Sequence, residues 1–236
     1  MTTPKKGVFY AVGVGPGDPG LITLRAAEVL GRCAVIAAPM TAGGETVALD
    51  IARQAVDLSG KTILPLRFTM KRRPEERAGA YEAALALLLP RLDAGEDVAM
   101  VNLGDVSLYA SVQYLLEALA EKGYPTVMVP GVPSFCAVAA RLGISLTGMH
   151  TPLHILPGSA ELESALDWPG SKIIMKSGKA LPEVLEALAE KGLLESAALV
   201  SDCGMPGEAA FPNLAQAAPA EGEAGYFTTV IVKEPT

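Results

Sequence analysis

Short β-branched apolar runs alternate along this chain with longer alanine- and leucine-rich segments of helical period, and glycine or proline closes most of the runs. Period-two or fully apolar runs of four to seven residues read as strands, and amphipathic stretches of nine or more read as helices. Strands are expected over 8–12, 34–38, 62–68, 97–103 and 126–129, with helices over 21–30, 46–58, 74–92 and 111–122 between them. Pro74 suits the first turn of the longest helix, where its missing N–H costs nothing. A strict β-α-β-α order cannot form hairpins, so this half predicts a mainly parallel five-stranded sheet with helices on both faces.

After a helix over 134–142 the rhythm changes. Strand-like runs at 154–156, 172–175, 197–200 and 226–232 are separated by one clear amphipathic helix, 182–191. A second α/β domain with a mixed sheet is expected. The two domains are read as 1–130 and 131–236, with the boundary between 130 and 152. Half of the 236 residues are apolar, enough to fill such cores.

Composition narrows the function. A net charge of −7 argues against a nucleic-acid or anionic-membrane partner, because phosphate neutralisation needs cations. Three distant cysteines without a CxxC suit reduced thiols, and no leader or long apolar run is visible, so a cytoplasmic protein is expected. His150 and His154 are four apart, but Pro152 between them argues against a helix offering both to one ion, so no metal is expected.

Three glycine-bearing turns stand out. Gly15, Gly17 and Gly20 match the GxGxxG pattern of a dinucleotide turn. Pro16 and Pro19, however, remove N–H donors that a pyrophosphate would need, and no acidic residue ends the second strand. A stiff structural turn and a different ligand site both remain open. Leu103-Gly104-Asp105-Val106-Ser107-Leu108-Tyr109 and Pro130-Gly131-Val132-Pro133-Ser134 also join a strand end to a helix. Asp105, Ser107 or Ser134 could simply cap those helices. Three such turns on alternate strands favour a shared crevice, since open α/β sheets bind ligands at that edge. Arg67, Lys71, Arg72, Arg73 and Arg77 place five cations in eleven residues after the third strand. That run is either a solvated helix entrance or a site for a multi-carboxylate anion.

Taken in order, Tyr10-Ala11-Val12-Gly13-Val14-Gly15-Pro16-Gly17-Asp18-Pro19, Gly104-Asp105 with Tyr109, and Pro130-Gly131-Val132-Pro133-Ser134 resemble the signature of the tetrapyrrole methylases. Ile173-Ile174-Met175-Lys176 and Thr229-Val230-Ile231-Val232 extend the likeness over nearly the whole chain. Phe68-Thr69-Met70 and the stretch from Ser134 to Gly143 most resemble the members that methylate C-20 of precorrin-2.

The resemblance implies two αβα domains with the active site in a cleft between them, a homodimer, and S-adenosyl-L-methionine as methyl donor. Carried over by position, it puts cofactor contacts on Leu103, Gly104, Asp105, Leu108, Ser134, Phe135, Met175, Gly204 and one of Thr228 or Thr229, of which Thr228 is taken. The substrate side would be bordered by Pro16, with Arg67, Lys71, Arg72 and Arg73 on the tetrapyrrole carboxylates. Asp105 is the candidate for assisting proton removal. Val106 departs from the family's common Gly-Asp-Pro. The competing readings are a cobalt-containing substrate, a protein substrate as in diphthine synthesis, and a Rossmann-type nucleotide-binding protein.

Overall fold

A computed structural model describes residues 5–41, 43–68, 74–158, 160–220 and 223–234, with backbone only for 74–78. The chain divides into two compact units, Met1–Pro133 and Ser134–Thr236.

In the first unit five strands, β1 (Phe9–Gly13), β2 (Val35–Met40), β3 (Thr62–Arg67), β4 (Val98–Asn102) and β5 (Thr126–Val129), form one sheet in the order β3-β2-β4-β1-β5. Every pairing in it is parallel. The central β1 and β4 are buried along their whole length, whereas the edges β3 and β5 are largely open. This gradient explains why β1 and β4 read as continuous apolar runs: both of their faces are covered.

One face carries α1 (Leu24–Arg32) and α2 (Val47–Ala55), whose Val29, Leu30, Leu49 and Ile51 pack with Val12, Ile36 and Val101. The other carries α3 (Pro74–Asp93) and α4 (Val112–Glu121), where Leu88, Leu92, Leu115 and Leu119 pack on Phe9, Leu66 and Met100. Emptying one such position, as in Leu115→Ala, would cost about 2–5 kcal/mol.

The first helix starts later than its periodicity suggests. Asp18 accepts a hydrogen bond from the Gly20 N–H (2.7 Å) to close a 3₁₀ turn over Pro19–Leu21, and Thr23 then caps α1 at the Ala26 N–H. The Gly13–Gly20 loop is therefore separated from the helix N-terminus. A dinucleotide turn joins the two directly.

The second unit contains α5 (Ser134–Leu142), β6 (Leu153–Pro157), α6 (Leu162–Leu166), β7 (Ser171–Met175), α7 (Leu181–Glu190), β8 (Ala197–Ser201), β9 (Ala209–Phe211) and β10 (Thr228–Val232). Its sheet runs β6-β7-β10-β8-β9 and is mixed. β6 and β7 are parallel, while β10 is antiparallel to β7 and β8, and β9 antiparallel to β8. The five-residue α6 and three-residue β9 escaped the sequence reading because neither is long enough to express a period. Among the described residues no helix is long and apolar enough to cross a membrane.

Candidate functional site

In the first unit the three glycine turns follow β1, β4 and β5. These are adjacent strands in the sheet, not the alternate ones expected, and their ends touch. Gly15 and Gly104 exchange backbone hydrogen bonds across the gap (3.3 and 2.8 Å). A Cβ on Gly131 would lie 2.2 Å from the Gly104 carbonyl oxygen, and one on Gly13 would lie 2.7 Å from both that oxygen and the Gly131 nitrogen. Side chains have no room there, so backbone meets backbone. Gly104 itself has φ 71°, in the left-handed region glycine enters freely. Pro16, next to Gly15 in the turn after β1, is buried.

Asp105 ties the junction together. One carboxylate oxygen accepts from the Ser107 N–H (2.8 Å) and from the Ser107 hydroxyl, and the other accepts from the Gly131 N–H (2.9 Å). Partial burial pushes the Asp105 carboxyl upward, but the bonds from the Ser107 side chain and from the Ser107, Gly131 and Val106 backbone outweigh it and hold the group below its ordinary value. Neither Asp105 nor Ser107 caps α4, whose Ncap is Ser111. Val106, where proline was expected, is buried among the α3–α4 leucines. Leu103 and Leu108 are half-buried on either side of the turn. Tyr109 completes it at φ 48°, a conformation an L-residue rarely holds.

Arg67 is exposed at the carboxyl end of β3, the far edge strand. One strand, β2, stands between β3 and β4, so at ordinary spacing the two lie about 10 Å apart. Lys71, Arg72 and Arg73 lie outside the described residues, as does the side chain of Arg77.

In the second unit Ser134 opens α5, and its hydroxyl lies 3.4 Å from that of Thr229 on β10. Thr229 pairs with Met175 across the β10–β7 ladder, so the two side chains share a face. Thr228 points to the opposite face. It is fully buried, donating to the Gly225 carbonyl (2.6 Å) and lying 3.3 Å from the Ser201 hydroxyl. Of the two threonines, Thr229 is the one brought together with Ser134 and Met175. Phe135 is buried in the first turn of α5.

Gly204, at φ 75° in the loop after β8, donates its N–H to Glu208 (2.8 Å), which also receives Arg141 of α5. The same sheet edge holds Lys176 and Asp202 at φ 57° and 50°, directly after β7 and β8. Two strained non-glycine residues at one strand-end edge are the kind of cost that functional sites carry.

Sequence reasoning missed Glu208, Arg141 and Ser201. Glu208 gave no local sign in the sequence, because its partner Arg141 is 67 residues away. Arg141 and Ser201 gave none either. His154 is used structurally, its Nε2 lying 2.9 Å from the Pro169 carbonyl and its ring beside Trp168. Among the described residues no three His, Cys, Asp or Glu side chains gather as metal ligands would.

Comparison with known proteins gives the arrangement its relatives. The family model described as Tetrapyrrole (Corrin/Porphyrin) Methylases matches residues 8–218. The cobalt-precorrin-2 C(20)-methyltransferase of Salmonella typhimurium is 31% identical over 232 residues, covering 97% of both chains. The precorrin-2 C(20)-methyltransferase of a Sinorhizobium species is 32% identical over 241 residues, 96% of this chain and 95% of its own. A similar solved fold is the uroporphyrin-III C-methyltransferase of Thermus thermophilus complexed with S-adenosylhomocysteine, at TM-score 0.67 and 20% identity over 96% of this chain and 97% of that one. With a match running from the first strand to beyond β9, the chain belongs to the tetrapyrrole methylases.

Proposed function

We propose that this protein transfers a methyl group from S-adenosyl-L-methionine to C-20 of precorrin-2 or its cobalt-containing counterpart, a step of cobalamin biosynthesis. The observation that carries the reading is the near full-length identity to relatives named for C-20 methylation of that substrate, in both its forms. A nucleotide-binding role is disfavoured by the 3₁₀ turn that parts the glycine loop from α1.

The residues present fit the donor. The turn after β4 has no side chain at Gly104, whose backbone a ligand would approach closely. Leu103, Leu108, Phe135 and Met175 supply apolar surface, and the Ser134 and Thr229 hydroxyls supply both donors and acceptors. We place the cofactor contacts on Leu103, Gly104, Asp105, Leu108, Ser134, Phe135, Met175, Gly204 and Thr229, preferring Thr229 to Thr228 because the latter is spent on Ser201 and Gly225.

S-adenosylmethionine brings a sulfonium methyl that is already electrophilic. A reduced tetrapyrrole brings an electron-rich meso carbon. The chain has to hold the two in line and exclude water, so positioning supplies most of the acceleration. Asp105 serves that task. A carboxylate engaged by Ser107 and Gly131 and held below its usual range is a weak base, so its role is to lock two turns in register. The proton lost from C-20 after transfer then passes to water or to a carboxylate of the substrate. Arg67 and the basic run after it would pair with propionate and acetate groups, arginine doing so through two parallel bonds. Function as a homodimer is part of the same reading.

The test is an anaerobic assay with methyl-labelled S-adenosylmethionine and enzymatically made precorrin-2, its product read by mass and carbon NMR. One methyl added at C-20 supports the assignment. Binding of S-adenosylhomocysteine without transfer to either form of the substrate would redirect it to another tetrapyrrole.

A further inference from the structure

The loop joining β8 to β9 is fastened at several points, and most of them are its own backbone turns. Asp202 donates its N–H to the Phe227 carbonyl (3.1 Å), Met205 to Asp202 (2.9 Å) and Glu208 to Met205 (3.2 Å). One fastening is different in kind. The two oxygens of the Glu208 side chain are divided between two elements. Oε2 accepts from the Gly204 N–H at 2.8 Å, inside the loop, and Oε1 accepts from the guanidinium Nε of Arg141, in the last turn of α5.

Only a fifth of the Glu208 side chain is exposed, against 57% for Arg141. The Gly204 N–H and Arg141 together hold its carboxyl below the ordinary range, so it stays ionised at neutral pH. An exposed ion pair alone contributes little to stability. A carboxylate that bonds a cation on one side and a backbone N–H on the other acts as a brace, since each bond fixes the geometry of the other.

The brace joins two pieces that both matter to the proposed site. Ser134 and Phe135 occupy the first turn of α5, seven residues and about 10 Å along the axis from Arg141. Gly204 lies on the loop. We infer that Glu208 is a positioning residue for the methyl donor: through Arg141 and the Gly204 N–H it fixes the β8–β9 loop against α5, so that the two cofactor-contacting segments keep one spacing. The inference rests on the cofactor reading given above. Glu208 itself touches no ligand in this account, and Arg141 is its anchor.

The experiment compares Glu208→Gln, Arg141→Met, Arg141→Lys and the Glu208→Gln/Arg141→Met double variant with the unmodified chain. Readouts are S-adenosylhomocysteine titration by calorimetry, KM for both substrates, and the ligand-free melting temperature. A neutral amide keeps the volume of Glu208 but cannot serve both partners as an acceptor. Glu208→Gln should weaken S-adenosylhomocysteine binding and raise the KM for S-adenosylmethionine about tenfold, while the tetrapyrrole KM stays within about twofold. Arg141→Met should follow it, Arg141→Lys should recover most of the loss, and the double variant should be no worse than Glu208→Gln alone.

A Glu208→Gln variant that melts earlier yet binds S-adenosylhomocysteine within about twofold of the unmodified chain would reduce the brace to a stability element and overturn the inference. Equal losses for both substrates would overturn it as well. Failure of the unmodified chain to bind S-adenosylhomocysteine is a separate outcome, and it removes the cofactor reading instead.

Discussion

The two sheet edges that carry the proposed cofactor residues are built by opposite means. In the first unit β4, β1 and β5 end in backbone pressed on backbone, with the Asp105 carboxylate tying the turn after β4 to the turn after β5. In the second unit side chains do the stitching: Ser134 with Thr229, Thr228 with Ser201 and Gly225, and Glu208 with Gly204 and Arg141. A parallel sheet delivers its strand ends side by side, so close approach is available to small residues there. A mixed sheet brings strand ends and strand starts to one edge, and the gaps between them are bridged by hydroxyls and carboxylates. The first edge should therefore tolerate no added atoms, and the second should tolerate loss of single bonds at graded cost.

The largest effect tests the first half of that statement. Gly131→Ala would put a methyl inside the Gly104 carbonyl contact, and about 3 kcal/mol or more of stability should disappear. Urea unfolding measures it, and a loss below about 1 kcal/mol would break the comparison.

Next come the buried bonds. Thr228→Val strips a fully buried hydroxyl from Ser201 and Gly225, at a cost of about 1–3 kcal/mol. Thr229→Val gives up one long contact and should change stability by less than about 0.5 kcal/mol, yet weaken S-adenosylhomocysteine binding. Calorimetry on the pair of variants sharpens the assignment, because the reverse order would place Thr228 at the ligand.

Asp105→Asn comes third, at about 1–2 kcal/mol, and its effect depends on pH. Since the folded carboxyl is held below its ordinary value, its bonds contribute fully above the unfolded pKa of about 3.9 and are lost as pH falls through the lower folded value. The variant should narrow its deficit toward pH 3 in unfolding curves taken across the acid range.

The smallest effect is a control on the surface. Lys191→Ala breaks an exposed pair with Asp167 and should cost about 0.2–1 kcal/mol by the same unfolding measurement.

How far the residues announced this arrangement depends on the kind of signal each part emits. The five parallel strands were legible because buried strands read as apolar runs and the helices between them are amphipathic. The three glycine turns were legible too, but their adjacency was not. β1 lies between β4 and β5, and only long-range pairing of Phe9 with Val98 and Thr126 puts the turns together. Thr228 and Thr229 are indistinguishable in sequence. Which one faces α5 is fixed by the register of β10 on β7, and one step of slip exchanges them. Glu208 was hidden for a related reason, since its partner Arg141 is 67 residues away. The basic run from Arg67 announced a charge cluster, and of its five side chains only that of Arg67 is among those described.

The placement of β1 between β4 and β5 also has a consequence in time. The strand, fully apolar, is made before both of its sheet neighbours, and its β5 partner Val129 follows more than a hundred residues later. At about 5–20 residues per second, β1 waits on the order of ten seconds before either neighbour exists. Until then the segment Phe9–Gly13 is an open strand with two unpaired edges, competent to pair with another nascent copy. The first unit thus gains its tightly joined turns only near the end of its own synthesis, and its exposure to chaperones and to misassociation is set by chain order, not by final stability.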